Sequence, residues 1–267
     1  MKKIFLLSVL SLTSILAQAQ KGWEVGVLGG VANYFGDLNT SFNVAHPGAS
    51  GIVVARYNFN NRVSLRGSAT TALIKGDDAW SNNAFEKRRN LSFRTTINEA
   101  SLMGEFNFLP YTHGSNTEYF TPYLLAGANV FSYNPQAKYN NEWIELRNLG
   151  TEGQFINNEY GTAAMGIIYG GGVKIDLTEK WSLNLEIAGR KIFTDYIDDV
   201  SGNYPDKNDV KRLHGNIAAD MVDRSVEPYI GVEGRQRGNG KNNDAYATMS
   251  VGIVFYFGEL ECPSFYK

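Results

Sequence analysis

Apolar side chains recur at every second position in eight runs of about ten residues each. In the third run, for example, Val63 and Leu65 flank the polar Ser64. A period of two places successive side chains on opposite faces of a β-strand. Eight strands with one apolar and one polar face are typical of an all-β, transmembrane, up-and-down antiparallel β-barrel. The runs predict strands at 23–35, 49–57, 62–74, 95–108, 121–133, 161–175, 181–193 and 245–257.

The links between these strands alternate strictly between short and long. Segments 58–61 and 177–180 are tight turns and 109–120 is moderate, whereas four links are longer: 36–48, 75–94, 134–160 and 194–244. In outer-membrane barrels the short turns face the periplasm and the long loops face the exterior. An even strand number then predicts that both termini are periplasmic. Ten strands are the alternative, if 194–244 contains a hairpin.

The first residues have the pattern of a secretory signal peptide. Two lysines precede an apolar core at 4–16, and Ala17-Gln18-Ala19 offers a small-x-small cleavage site. We therefore predict a signal peptide at 1–19, a barrel with long external loops at 20–258 and a periplasmic C-terminal tail at 259–267. The formal net charge of −2 and the lack of a basic stretch argue against nucleic-acid binding. The 15 tyrosines and 15 phenylalanines fit aromatic girdles at the membrane interfaces.

Several charged residues fall on the inward-facing positions of the predicted strands. An eight-stranded barrel has an interior just wide enough for side chains, so opposite charges there should pair and fill the lumen. The alternative is a proton or ion path. The glycines at 170–172 lie within a strand, where they would let a bulky side chain approach the wall. The predicted inward charges are Glu24, Arg56, Arg62, Arg66, Glu99, Glu105, Lys174, Glu186 and Arg190.

The longest loop, 194–244, carries two features of interest. Apolar residues at helical spacing over 208–221 predict a short amphipathic helix, which either packs on the barrel mouth or binds a partner. Asp195, Asp198 and Asp199 are oxygen donors of the kind that calcium takes, but their spacing does not match an EF-hand. A solvated turn is the preferred interpretation.

No residue set in the chain indicates catalysis. The three histidines, His46, His113 and His214, have no nucleophile motif beside them, and G-x-S-x-G is absent. The sequence therefore predicts a protein that is not an enzyme and that has no cofactor, no catalytic residue and no metal site.

The single cysteine, Cys262, lies in the predicted periplasmic tail. That compartment is oxidising, and an odd cysteine in a secreted protein suggests either intermolecular pairing or a free thiol. Our hypothesis is a disulfide to a periplasmic partner, with a free or buried thiol as the equal alternative. The tail residues predicted to bind that partner are Cys262, Pro263, Phe265 and Tyr266.

Four segments together carry a resemblance to a known family. They are N-Y-F-G-D-L-N at 33–39, N-E-A-S-L-M-G-E-F-N-F at 98–108, P-Y-L-L-A-G at 122–127 and F-T-D-Y-I-D-D-V-S-G-N-Y at 193–204. In this order they resemble the PorG-like outer-membrane barrel component of the type IX secretion system of Bacteroidota and its wider, uncharacterised barrel family. The last segment is the most specific, and the resemblance covers essentially the whole mature chain.

The resemblance implies a non-enzymatic role at the cell outer membrane, among its lipids. In that system the barrel associates with a periplasmic ring made of a lipoprotein and a ring-forming companion, as part of the machinery that exports proteins. The sequence thus predicts a barrel that anchors or assembles this complex, with the tail as the contact. The rival hypotheses are a surface barrel whose external loops bind a ligand or mediate adhesion, and a small-solute pore.

Overall fold

Eight antiparallel strands close into a barrel in the computed structural model, which describes residues 21–260. The wall is a complete ring because its first strand pairs with both the second and the last, and every other wall strand pairs with its two neighbours. The predicted strand number and fold class are confirmed. The strands of the wall are β1 Gly22–Phe35, β2 Gly48–Asn58, β3 Val63–Asp77, β4 Ser92–Asn107, β5 Phe120–Ser132, β8 Ala163–Asp176, β9 Trp181–Ile192 and β10 Ala245–Tyr256.

The two faces of the wall follow the period of two in the sequence. In β10, Val251 is 48 % exposed on the outside, whereas Ser250 is 4 % exposed and points into the lumen. The outer surface is mostly apolar and the interior mostly polar or charged. This is the distribution of a barrel whose outside contacts lipid.

The ends of the barrel differ, and we name them by their connections. At the turn end, where the short links lie, outward aromatic rings form a belt that includes Trp23 against Tyr57 at 5.2 Å and Trp181 against Phe255 at 4.8 Å. Rings at this level suit a membrane–water interface. The opposite end carries the four long loops and is called the loop end.

The loop end holds the elements outside the wall. A hairpin of β6 Pro135–Tyr139 and β7 Glu142–Glu145 pairs with β4 through Gln136 and Arg94. This hairpin lies in the third long link and stands outside the ring. The alternative of ten barrel strands is wrong, because the described 194–244 segment holds two helices and an isolated bridge between Asn203 and Gln236, and adds no strand to the wall. Three helices accompany it: α1 Ala84–Arg89, α2 Lys207–His214 and α3 Asn216–Val222. None of the helices within residues 21–260 has the length and apolar character needed to cross a membrane.

The single helix predicted at 208–221 is instead two helices. Gly215 lies between α2 and α3 with φ +90° and ψ −176°, a conformation that breaks a helix and that glycine adopts at little cost. Val210 and Met221 are buried, so the pair packs on the barrel mouth as one of the two alternatives expected. Ile217, which is one of the apolar residues at helical spacing within 208–221, is 45 % exposed because the break rotates α3 relative to α2.

Candidate functional site

The lumen near the turn end is filled by a cluster of paired charges around Glu105. Its Oε2 lies 2.7 Å from Nε of Arg56 and 2.7 Å from Nζ of Lys174, and its Oε1 lies 3.3 Å from Nη1 of Arg66. All four side chains are at most 2 % exposed. One carboxylate thus balances three cations with the help of further acids, because a buried charge without a partner is costly.

Two more glutamates complete this cluster. Arg56 also contacts Glu24, and Arg66 forms a fork with Glu186 in which Nη2 lies 3.2 Å from Oε1. The hydroxyl of Tyr123 donates to Oε2 of Glu186 at 2.6 Å. Charges of opposite sign therefore fill this part of the lumen, as the sequence predicted.

The glycines at 170–172 let Tyr123 reach its place. A Cβ atom at Gly172 would lie 2.9 Å from the Tyr123 hydroxyl and 2.1 Å from the carbonyl oxygen of Leu185. Any larger residue would collide with both the lumen side chain and the next strand. The predicted role, close approach of a bulky side chain to the wall, is confirmed at this position.

His113 closes the lumen at the turn end. Its Nδ1 lies 3.0 Å from Oδ1 of Asp176, its Nε2 lies 3.1 Å from Oε1 of Glu24, and its ring stacks on Tyr256 at 4.4 Å. Burial by itself would lower the pKa of His113, but the hydrogen bonds to Asp176 and Glu24 outweigh that effect and raise it to about 9. The sequence predicts only that this histidine lies in a turn without a nucleophile motif, because Glu24 and Asp176 reach it from distant strands.

A second ionic cluster lies nearer the loop end. Nε of Arg190 is 3.1 Å from Oε2 of Glu99, and that oxygen also accepts from Nδ2 of Asn129 at 2.6 Å and from the Tyr246 hydroxyl. These groups satisfy one another without reaching the first cluster. Arg190 and Glu99 bond to each other, to Asn129, Tyr246 and Thr248, and to the carbonyl oxygen of Ala188, none of which belongs to the first cluster.

An apolar layer separates the two clusters. Along β4, Met103 lies between Glu99 and Glu105, and along β9, Ala188 lies between Glu186 and Arg190. Between the clusters the described residues of the layer carry no charged group, and its polar contact is the hydroxyl pair of Ser68 and Ser101 at 2.6 Å, which favours the plug over the proton or ion path. It consists of two buried groups, Met103, Tyr123, Leu125, Ile168 and Ala188 on one side and Leu28, Ile52, Val54 and Val254 on the other.

One predicted lumen residue lies elsewhere. Arg62 precedes β3 in a turn, is half-buried at the rim, and donates from Nη1 to the carbonyl oxygen of Phe108 at 2.6 Å. The prediction that it faces the lumen is wrong, because the strand begins one residue later, at Val63. The other eight predicted inward charges are buried.

At the loop end, the long loops are held together as a cap over the mouth. Arg89 on α1 forms a fork with Asp78, with Nε to Oδ2 at 2.8 Å and Nη2 to Oδ1 at 2.7 Å. Two further hydrogens go to the carbonyl oxygens of Asp37 at 2.7 Å and of Arg237 at 2.6 Å. A single guanidinium therefore joins three of the four loops.

Arg237 joins the remaining loop to the same network. Its Nη1 donates to Oε1 of Glu152 at 3.0 Å and to the carbonyl oxygen of Asp199 at 2.5 Å. Glu152 in turn accepts from the backbone nitrogens of Ser201 and Gly202. All four loops of the cap are thus connected by two buried arginines.

The aspartates of the 193–204 segment form part of this cap. Asp198 and Asp199 are each 1 % exposed and Asp195 is 9 % exposed. The preferred interpretation of a solvated turn is therefore wrong: the loops fold over these side chains and bury them. Within residues 21–260, no group of three or more histidine, cysteine or acidic residues is arranged to hold a metal ion.

Two of the buried carboxylates share one hydroxyl. The oxygen of Tyr34 lies 2.5 Å from Oδ2 of Asp198 and 2.9 Å from Oδ1 of Asp244. A hydroxyl has one proton to donate, so the second carboxyl group makes its hydrogen bond only by bringing a proton of its own. Burial raises the pKa of both aspartates well above the usual range, in agreement with this geometry.

The pKa values of two further acids of the cap, Asp195 and Asp199, are raised as well. Burial raises the pKa of Asp195 to about 7. Burial also raises the pKa of Asp199, to about 6, although Arg237 and the hydroxyls of Thr151 and Tyr160 oppose the change. The cap therefore holds protons that exposed carboxylates would have lost near neutral pH.

The other sequence-predicted residues lie apart from these groups. His46 stacks on Trp80 at 4.0 Å, and Nε2 of His214 lies 2.7 Å from the carbonyl oxygen of Gln154. Neither is beside a serine or cysteine nucleophile. The tail residues Cys262, Pro263, Phe265 and Tyr266, like the predicted signal peptide, lie outside the described residues.

Three solved structures illustrate what the fold is similar to. Neisserial surface protein A is 12 % identical and matches over 90 % of this chain and 100 % of that chain, with a TM-score of 0.44. The outer membrane protein OprG of Pseudomonas aeruginosa is 11 % identical and matches over 90 % of this chain and 99 % of that chain, with a TM-score of 0.43. Ail of Yersinia pestis, in complex with the heparin analogue sucrose octasulfate, is 10 % identical and matches over 90 % of this chain and 99 % of that chain, with a TM-score of 0.40. At these identities the similarity is confined to the fold.

The closed wall, its apolar outer surface and its aromatic belt are those of an outer-membrane β-barrel. No curated protein sequence matches the chain. A family model described as a domain of unknown function, DUF6089, matches residues 2–226, which include most of the barrel and all but the end of the cap. This chain is therefore an outer-membrane β-barrel that belongs to the DUF6089 family.

Proposed function

We propose that this barrel is a non-enzymatic scaffold that anchors a protein complex at the outer membrane and does not conduct solutes. The observation that carries the proposal is the filled lumen: two clusters of paired charges, separated by an apolar layer, lie below a cap that ties all four long loops together. Because the lumen is filled along its length and covered by the cap, the barrel is a rigid body without a passage.

The energetics of the lumen support a fixed plug. A solute crossing it would have to separate Glu105 from Arg56, Arg66 and Lys174, and breaking a buried ion pair by removing one partner costs about 3–5 kcal/mol. It would then have to cross the apolar layer, whose two buried groups contain no opposite charge. Gating the barrel would thus require rearrangement of most of its interior.

The specific role that we propose is in type IX protein secretion. The four segments that resemble the PorG-like barrels supply the candidate partners, a periplasmic lipoprotein and a ring-forming protein. The proposed contact is the turn end, where the chain leaves β10 and continues into the tail with Cys262. On this proposal the turn end faces the periplasm and both termini lie there.

Two measurements test the proposal at its two levels. Planar-bilayer recordings of the purified barrel should show no steady conductance, and a stable open channel would overturn the scaffold role. For the secretion role, the native barrel should be recovered from outer membranes together with the lipoprotein and the ring protein, and Cys262→Ser should weaken that recovery. Recovery of the barrel without either partner would overturn the secretion role alone.

A second function is favoured by the outer surface of the cap. Phe42, Phe155 and Tyr229 are 75 %, 65 % and 68 % exposed on the long loops. Exposed aromatic side chains are common anchors in protein contacts. If the cap binds an external ligand, replacing these three residues by serine should abolish binding to cells or matrix proteins while leaving secretion unchanged.

A further inference from the structure

A groove of about 370 Å³ opens at the turn end, beside the point where the described chain stops. It lies between the β4–β5 loop and the β8–β9 turn. Its volume falls within the range of about 300–1,000 Å³ that is typical of protein binding pockets. The lining residues are Gly114, Ser115, Asn116, Tyr119, Asp176, Leu177, Thr178 and Glu179.

The chain that leaves β10 runs directly to this groove. The hydroxyl of Tyr256 lies 3.4 Å from the carbonyl oxygen of Glu259, which turns the chain inward over the barrel end. A Cβ atom at Gly114 would lie 3.5 Å from Cδ2 of Leu260 and 3.7 Å from Cβ of Glu179. Leu260 therefore lies beside Gly114 on the β4–β5 side of the groove, opposite Glu179, and the next residues of the chain start at the edge of the groove.

We infer that the groove is the docking site of residues 261–267 of the same chain. These seven residues span at most about 25 Å when extended, at 3.3–3.6 Å per residue, which is ample for a groove that begins at Leu260. The tethered segment also has an advantage over any free peptide, because its effective concentration at the groove is high.

The chemistry of the groove suits this occupant. Leu177 and Tyr119 are 57 % and 50 % exposed, and they offer apolar surface for Phe265 and Tyr266. The lining holds two acids, Asp176 and Glu179, and no basic residue. Glu179 is exposed, and the segment carries one acid, Glu261, and one base, Lys267, so its apolar side chains and not its charge favour this occupant.

Docking in this way would place Cys262 at the rim of the barrel. It follows Leu260 by two residues, and two residues of chain span at most about 7 Å, so docking would keep Cys262 close to Leu260. The thiol is then presented on a rigid surface, and a partner that takes the groove has to displace the segment first. Docking of the segment is independent of whether the barrel serves the secretion system.

The cysteine allows a direct test by disulfide trapping. The full-length Ser115→Cys variant, which keeps the native Cys262, is purified, reduced, reconstituted in lipid vesicles and oxidised. The control is Asn61→Cys on the β2–β3 turn, which does not line the groove. Two cysteines whose Cα atoms are more than about 7 Å apart do not bridge without backbone movement. Peptides linked through the new cysteine are identified by mass spectrometry, and heat-modifiable migration confirms that each barrel is folded.

Docking predicts that most of the Ser115→Cys protein forms the internal bridge while the Asn61→Cys protein forms little. Equal bridging in both variants would overturn the inference, because it would mean that the segment samples the whole barrel end. Bridging of Cys262 only to a second molecule would also overturn it, and would assign the groove to another chain.

A second measurement uses the native cysteine alone. The rate at which a maleimide labels Cys262 is compared between the unaltered barrel, Leu177→Ser in the groove and Leu109→Ser, which is exposed outside the groove. Docking predicts that labelling is several-fold faster in Leu177→Ser and unchanged in Leu109→Ser. An unchanged rate in both variants would contradict it. Conductance and partner recovery are not part of either measurement, so failure here leaves the proposed function standing.

Discussion

The lumen and the cap both bury many charged residues, but they balance them differently. In the lumen four glutamates face four basic residues, and each carboxylate has at least one cation within 3.3 Å. In the cap, Asp78, Asp195, Asp198, Asp199 and Asp244 are buried with two arginines, Arg89 and Arg237. The lumen therefore neutralises its charges by pairing, whereas the cap neutralises part of its charge by keeping protons.

The difference follows from how each region is built. Lumen side chains project from a rigid wall at positions set by strand register, so acids and bases are brought together by the pairing of strands. Cap side chains come from loops that meet over the mouth, and their carboxylates accept mainly from backbone nitrogens and hydroxyls. We expect the stability of the lumen to fall when one member of an ion pair is removed, and the stability of the cap to depend on pH.

The largest effect is expected in the lumen. Glu105→Ala removes the group that neutralises Arg56, Arg66 and Lys174, so the free energy of unfolding should fall by about 3–5 kcal/mol. Urea unfolding of the barrel in lipid vesicles measures this change. Phe106→Leu is the matched control, since the neighbouring side chain faces outward and should cost less than about 1.5 kcal/mol. Equal stability of the two variants would contradict the plug.

The next effect should be confined to the cap. Arg89→Ala removes the fork to Asp78 and two contacts with neighbouring loops. Amide hydrogen exchange over 193–244 should then become about thirtyfold faster, equivalent to about 2 kcal/mol, while the strands keep their protection. Arg88→Ala is the control, because Arg88 is exposed on the same helix. Loss of protection in the strands as well would show that cap and lumen unfold together.

An effect of similar size is expected from the wall beside the lumen cluster. Gly172→Ala forces a methyl group against Tyr123 and β9 and should cost about 1–3 kcal/mol. Gly29→Ala introduces the same group where nothing lies within 4 Å. The unfolding midpoints of the two variants are compared, and that of Gly172→Ala should be the lower. A Gly29→Ala barrel as unstable as Gly172→Ala would mean that strand flexibility, and not space, is what glycine provides.

The smallest effect is the pH dependence of the cap. The raised pKa of Asp195, about 7, means that the folded cap binds more protons than the unfolded loops, whose aspartates titrate near 4. The contribution of Asp195 to the stability of the cap is fully present below about pH 4 and is lost as the pH rises toward 7. Amide hydrogen exchange over 193–244, corrected for the pH dependence of the intrinsic exchange rate, should therefore become faster between pH 5 and pH 8.

The control for this dependence lies in the same loop. Asp195→Asn should reduce the pH dependence, whereas Asp209→Asn, whose side chain is exposed at 59 %, should leave it unchanged. A dependence of opposite sign, with slower exchange at pH 8, would contradict the protonated cap. His113 adds a separate window at the turn end, where its raised pKa predicts loss of stability as the pH approaches about 9.

The sequence by itself determined the wall. Alternating side chains specify which face of each strand meets lipid, and one-residue slips would turn every apolar side chain inward, so strand number, order and most lumen charges followed from the pattern. The pattern located Glu105 and Arg56 in the lumen because their positions depend only on local periodicity. It failed at Arg62, since the end of a strand is set by the turn and not by periodicity.

Only the tertiary structure decided what the loops do. The burial of Asp198 beside Tyr34 and the place of His113 between Glu24 and Asp176 join residues that are far apart in the chain. Loops have no repeating pattern that encodes such contacts, and Gly215 broke the one helical pattern that was visible. Pairings between loops depend on how the strands carry them to a common end of the barrel, which local sequence does not specify.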